Sequence, residues 1–158
     1  MIYHGLVSSY LRYGVTTWGS AKSTALEKLN SLHNRAVKII SPSNITCESA
    51  YQLSKILTIE SIYKFEIAKF IHTISIKKNP KVFDSYVLPI FHTYHTRSRE
   101  NGCYQLLYKP RTELGKTLIK FKGVQYWNSL PKDVTKDCGT SQLFKVNMKK
   151  YLLANQII

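Results

Sequence analysis

Between residues 59 and 77 the chain carries Ile59, Ile62, Tyr63, Phe65, Ile67, Phe70, Ile71 and Ile74. At 3.6 residues per turn these side chains cover most of a helix's circumference, and a helix that is apolar nearly all round must be enclosed by the rest of its fold. The β-branched content would also suit a strand, but nineteen residues are too long for one, so the length argues for a helix. Asn79-Pro80 ends it, because proline can neither donate to a helix nor sit inside one without a clash. Whatever else the chain forms has to pack around this segment.

Other segments obey weaker versions of the same logic. From 22 to 40 the set Leu26, Leu29, His33, Ala36 and Ile40 recurs at steps of three and four, with Lys28, Arg35 and Lys38 off that stripe. An amphipathic helix is expected there, stopped by Pro42; its stripe suits the domain's own core or a partner helix. Residues 2–13 read as a short helix ended by Gly14 with Trp18 packing back, and 47–56 as another. After Pro80 the character changes. Residues 80–103 read as a connector with a helical turn near 83–87. Residues 104–108 and 118–121 alternate well enough for two short strands, with turn chemistry from Pro110 and Gly115 between them. Residues 123–129 read as a short helix carrying Trp127 and closed by Pro131. Ser141 is an N-cap candidate for a last helix with Phe144, Met148, Tyr151 and Leu152 on one face. The expected fold is mainly α with a small α+β C-terminal part. A helical bundle spans 1–79, and a basic tail of a short β-hairpin and helices spans 80–158.

A chain of 158 residues with 44% apolar and 12% aromatic content has enough apolar material for one compact unit rather than a disordered tail. Net charge is +14. Residues 1–79 hold ten Lys/Arg and four acids, and 80–158 hold thirteen and five, so the excess runs along the whole chain. Such a field favours polyanions, nucleic acid first among them, or it serves as a solvated surface that maintains solubility. The cations form no dense cluster of the kind that reads lipid headgroups. Cys47, Cys103 and Cys138 are odd in number and form no C-x-x-C, which reads as reduced thiols in the nucleus or cytoplasm. No apolar run reaches the roughly 18 residues of a membrane span, and the N-terminus lacks the apolar core of a signal peptide, so no membrane partner is expected.

Residues 92–131 carry three motifs in order: His92, Tyr94, Thr96 and Arg97; then Pro110, Arg111, Thr112 and Gly115; then Phe121, Gly123, Trp127, Asn128, Leu130 and Pro131. This run resembles the region after the active site in the polymerases of jockey- and CR1-like non-LTR retrotransposons, of the form H-x-Y-x-T-R, P-R-T-x-x-G, F-x-G-x-x-x-W-N-x-L-P. Upstream, Tyr10-Leu11-Arg12-Tyr13-Gly14 with Trp18-Gly19 is similar to the segment opening the thumb of those enzymes. Leu29, Leu32, Arg35, Ala36 and Ile39-Ile40 are similar to the helix after that segment. His95 and Leu118 depart from the usual Asn and Ser. The resemblance implies a thumb-like helical part and then the tail of a reverse transcriptase, with RNA or DNA held by sequence-independent contacts and the upstream polymerase domains as a further partner.

In that family polymerisation needs carboxylates holding two metal ions about 3.5–4 Å apart. Here the aspartates are Asp84, Asp133 and Asp137, with no adjacent pair. The resemblance therefore implies a fragment that begins after the active site and is not an enzyme by itself. Gly115-Lys116-Thr117 looks like the end of a phosphate loop, but Pro110 stands where that loop needs its first glycine. His92, His95 and Cys103 lack the close fourth ligand of a structural zinc site. No triad is visible, and no cofactor is expected.

The candidate nucleic-acid-binding residues are Tyr94, Arg97, Arg99, Lys109, Arg111, Lys116, Lys120 and Lys122. Across 92–122 only Glu100 and Glu113 oppose these cations. Basic groups can track a phosphate backbone, and fork-shaped guanidinium suits phosphate. The interleaved Tyr104, Tyr108 and Phe121 either stack on bases or fill the small core. Trp127 and Leu130 belong to that core.

Overall fold

The computed structural model describes residues 2–42, 45–90, 103–106, 109–135 and 140–156. The chain is mainly helical, with one small two-stranded antiparallel sheet and helices after it. A π-helical turn, Tyr3–Ser8, runs into α1 (Ser9–Arg12), and then come α2 (Val15–Trp18), α3 (Ser23–Ile40), α4 (Cys47–Ser54) and α5 (Ile59–Ser75). A 3-10 turn (Lys81–Tyr86) leads to β1 (Leu88–Pro89), which pairs with β2 (Tyr104–Gln105). The remaining elements are α6 (Glu113–Thr117), α7 (Ile119–Ser129), α8 (Lys132–Thr135) and α9 (Ser141–Asn155). Packing divides the chain into two compact units, Met1–Glu66 with Lys149–Ile158 and Ile67–Met148. Among the described residues, no helix is long and apolar enough to cross a membrane.

Helix α5 meets the expectation of an enclosed helix. Ten of its seventeen residues are buried, including Ser61 and His72 on what would otherwise be its polar positions. Helix α3 is the opposite case. It fully buries only His33 and Val37; Leu26, Leu29 and Ala36 of the expected stripe are half-buried, while Ile40, like Leu32 and Ile39, is exposed, so at its end the stripe runs through Val37 rather than Ile40.

In the first unit, the Tyr13-Gly14 and Trp18-Gly19 steps form one device. Gly14 takes the left-handed conformation (φ 60°), which ends α1 and starts α2. The chain folds back until the Trp18 Nε1–H donates to the Tyr13 carbonyl at 2.9 Å. At Gly19, a Cβ would lie 2.5 Å from the Tyr63 ring, so no other residue fits beneath it. Gln156, past the end of α9, ties into the same unit. Its amide accepts from Thr58 N–H and donates to the Ile56 carbonyl, each at 3.2 Å.

The core of this unit gathers Tyr3, Val37, Ala50, Tyr51 and Ile56. A polar chain passes through it. Tyr51 donates its hydroxyl proton to Asn34 Oδ1 at 2.7 Å, so its oxygen accepts from His33 Nδ1–H at 2.9 Å. The His33 Nε2 lone pair then accepts from the Tyr3 hydroxyl at 2.6 Å. Every proton in the chain is placed, and the imidazole is held neutral. Burial lowers the His33 pKa to about 4, pushes Tyr3 up to about 12 against the pull of Arg12, and raises Tyr51.

A second proton on His33 would have to point at an oxygen whose own proton already points back. Because the folded pKa lies below the ordinary value near 6.5, this group's stabilisation is complete above that pH. It is lost as pH falls towards 4, with about 2 kcal/mol gone by pH 5. Urea denaturation of wild type and His33→Gln at pH 7.5 and 5 should show that component in the wild type alone.

Candidate nucleic-acid interface

The second unit is organised by aromatic packing. The His72 ring stacks on Phe144 at 4.3 Å and 3°, with Trp127 at 5.6 Å from Phe144 and Tyr104 at 6.1 Å from Trp127. Trp127 and Phe144 are buried, and Leu130 is half-buried. Phe70, Phe83 and Tyr86 form an edge-to-face series in the same unit. Helix α7 reaches the aromatic layer because Gly123 lies against Ile71, where a Cβ would come 3.1 Å from Cδ1.

Residues 118–121 are not a strand. They enter α7, and the strand that pairs with Tyr104–Gln105 is Leu88–Pro89. Four alternating residues fit either period, and the contact of Gly123 with Ile71 selects the helix. Pro110 and Gly115 likewise do not make a turn between strands. Thr112 caps α6, its Oγ1 accepting from the Gly115 N–H at 3.1 Å, while Pro110 and Gly115 are buried. Lys116-Thr117 therefore sits on a short helix rather than in a phosphate loop.

The Trp127-Asn128 step closes the small sheet. Asn128 Oδ1 accepts from the Tyr104 N–H and Nδ2 donates to the Tyr104 carbonyl, both at 2.9 Å. The side-chain amide thus replaces one peptide of a third strand. Both amide groups of Tyr104 point to Asn128, so its partner Pro89 needs no N–H there. The Tyr104 hydroxyl donates to Ser75 Oγ at 2.7 Å. Tyr104 is accordingly a packing residue, whereas Tyr94 and Tyr108 lie outside the described residues.

The candidate cations separate by what holds them. Lys109 and Arg111 are exposed, and among the described residues no hydrogen bond or ion pair engages either. Lys116 pairs with Glu113 at 2.5 Å, one turn away on α6. Lys120 lies 5.4 Å over the Tyr86 ring. Lys122 is half-buried and makes contacts of its own. Arg97 and Arg99 fall outside the described residues, as do His92 and His95. No cluster of three metal-ligating side chains occurs among the described residues. A second set of cations, Arg12, Lys55 and Lys149, comes together in the first unit; far apart in the chain, they leave no local pattern.

No protein-family model matches this sequence, and no curated protein or solved structure matches it either.

Replacing Asn128 by Ala leaves the N–H and carbonyl of Tyr104 unpaired at a part-buried site, and should lower stability by about 1–3 kcal/mol. Asn128→Asp should cost a comparable amount, because a carboxylate oxygen would face the Tyr104 carbonyl. Urea midpoints of the two variants check this. A neutral Asn128→Ala variant would mean that the sheet is held by β1 alone.

Proposed function

We propose that this chain is a nucleic-acid-binding module without catalytic activity of its own, equivalent to the thumb and tail of a non-LTR retrotransposon RNA-directed DNA polymerase. It holds RNA or DNA by the backbone with little sequence preference. The observation that carries this reading is the division of labour inside the P-R-T-x-x-G motif. Pro110 and Gly115 are buried and Thr112 caps a helix, while Arg111 projects among them with no structural partner among the described residues. Folding accounts for the other three. Lys109 stands exposed beside Pro110, and the net charge of +14 supplies the long-range attraction that phosphate binding needs. Arg97, which ends the H-x-Y-x-T-R motif, and Arg99 two residues on are proposed as further phosphate contacts from the sequence alone.

A second reading, as a decayed or co-opted fragment acting as a protein–protein module or without function, draws on exposed apolar side chains in the first unit. Ile2, Leu6 and Tyr10 recur at four-residue steps along the N-terminal helix and are 77%, 63% and 78% exposed. That is a stripe of the kind that pairs with another helix. The upstream polymerase domains would be one such partner.

Single-stranded RNA and DNA titrations between 50 and 300 mM salt separate the two readings. Each neutralised phosphate adds about −0.7 to the log–log slope, so four contacts give roughly −3. The double variant Lys109→Ala/Arg111→Ala should make the slope shallower by about 1.4 and leave the thermal melt unchanged, since exposed cations contribute little to stability. A wild-type slope near zero would eliminate the nucleic-acid reading.

A further inference from the structure

In the first unit, the N-terminal helix, the end of α4 and α9 border a shallow, solvent-open recess of about 20 Å³. Its floor is apolar, with Ile56, Leu57 and Ile62, and its rim carries His4, Arg12, Lys55 and Lys149. No carboxylate is among the described residues that line it. Arg12 is oriented from behind. Its guanidinium lies 5.6 Å over the Phe65 ring, and its Nε is 3.9 Å from Glu66. That ion pair is long, and a guanidinium has five N–H donors, so it positions Arg12 without using it up. Beyond Lys55 a shallower depression continues along Lys150.

Lys55 is the informative residue. It ends α4 in the left-handed conformation, with φ 50° and ψ 38°. Glycine or asparagine ordinarily fills that position, and other residues with a Cβ are strained there. The chain therefore carries a strained lysine where a relaxed neutral residue would cap the helix equally well. That lysine shares the rim of the recess with two further cations, Arg12 and Lys149, over an apolar floor. One compact multivalent anion would engage all three cations at once.

We propose that this recess is a phosphate-binding site in which Arg12, Lys55 and Lys149 coordinate the oxygens and His4 adds a ring N–H. Guanidinium forks and ammonium groups match a tetrahedral oxyanion through short charge-assisted hydrogen bonds. A recess this shallow suits one phosphate group seated at its mouth rather than a large apolar ligand, which would need most of its surface enclosed. The phosphate belongs either to a small phosphorylated molecule or to a nucleic-acid strand. The site is separate from the segment around Arg111 and does not depend on the reading given for it.

The test is an NMR titration of the full chain that monitors the amides of Ser8, Lys55 and Leu57. The probes are inorganic phosphate, pyrophosphate and an oligothymidylate with and without a 5′-phosphate, each against sodium chloride at matched ionic strength. The expected result is a saturable shift of these amides with at least one phosphate probe, weakened about tenfold by Lys149→Ala and by Lys55→Gly, as for loss of one charge-assisted hydrogen bond. Saturation by pyrophosphate assigns a small phosphorylated ligand. Saturation by the oligonucleotide alone assigns a strand, and dependence on the 5′-phosphate places its terminus in the recess. Lys55→Gly should melt at or above the wild-type temperature, because it relieves the left-handed strain while removing the charge. Shifts no larger than those in sodium chloride, unchanged affinity in both variants, or a fold weakened by Lys55→Gly would each overturn the proposal. Loss of salt-dependent binding in the Lys109→Ala/Arg111→Ala variant would leave these amide shifts untouched, so the two readings fail separately.

Discussion

A helix with apolar side chains on nearly every face gains little from lying on a surface, and α5 imposes that condition on the rest of the chain. Each buried residue of its seventeen needs a neighbour, and distant segments supply them. Gly19 lies under Tyr63, Gly123 lies against Ile71, and Phe144 stacks on His72. In two of these contacts the neighbour has no side chain at all. Close approach to an enclosed helix is easiest where the partner contributes backbone alone, and a methyl group at either site would sit at 2.5 or 3.1 Å from its neighbour.

Around His33 in the first unit, buried polar groups come in a closed set. His33 has both ring nitrogens satisfied by tyrosine hydroxyls, and Asn34 takes the last proton of the chain. A buried imidazole with one unmatched nitrogen would cost about as much as the hydrogen bond it lacks. The network also fixes one tautomer, which makes the first unit's core sensitive to protonation at a single position.

Helix α5 was legible in the sequence because its apolar residues outnumber any single face, which leaves no alternative assignment of similar length. The last helix was legible because Phe144, Met148 and Leu152 repeat every four residues. The sheet was half legible. Tyr104 starts a strand, but Leu88–Pro89 is too short and too proline-rich to announce itself, and the alternation in 118–121 satisfies both periods. The helix cap at Thr112 did carry a signal, a threonine with a glycine three residues later whose N–H it binds. Turn chemistry at Pro110 and Gly115 obscured it. Of the candidate interface, the sequence shows charge alone, and the structure divides Lys109 and Arg111 from the paired Lys116 and the ring-stacked Lys120. The recess around Lys55 is invisible in the sequence, because its cations come from three segments that only tertiary packing unites.

Asn128 has a further consequence for how this chain behaves in company. A two-stranded sheet ordinarily offers two outer edges, each a row of unpaired amide groups on which another chain can build. At Tyr104 the outward N–H and carbonyl are both occupied by a side-chain amide, which cannot pass the pattern on. Opposite Tyr104 on β1 stands Pro89, which has no N–H to offer. At that level the sheet is therefore closed on one side by the hydrogen bonds of a side-chain amide and on the other by a proline that has no N–H. A short strand in a tyrosine-rich, half-buried setting is thereby kept from recruiting copies of itself.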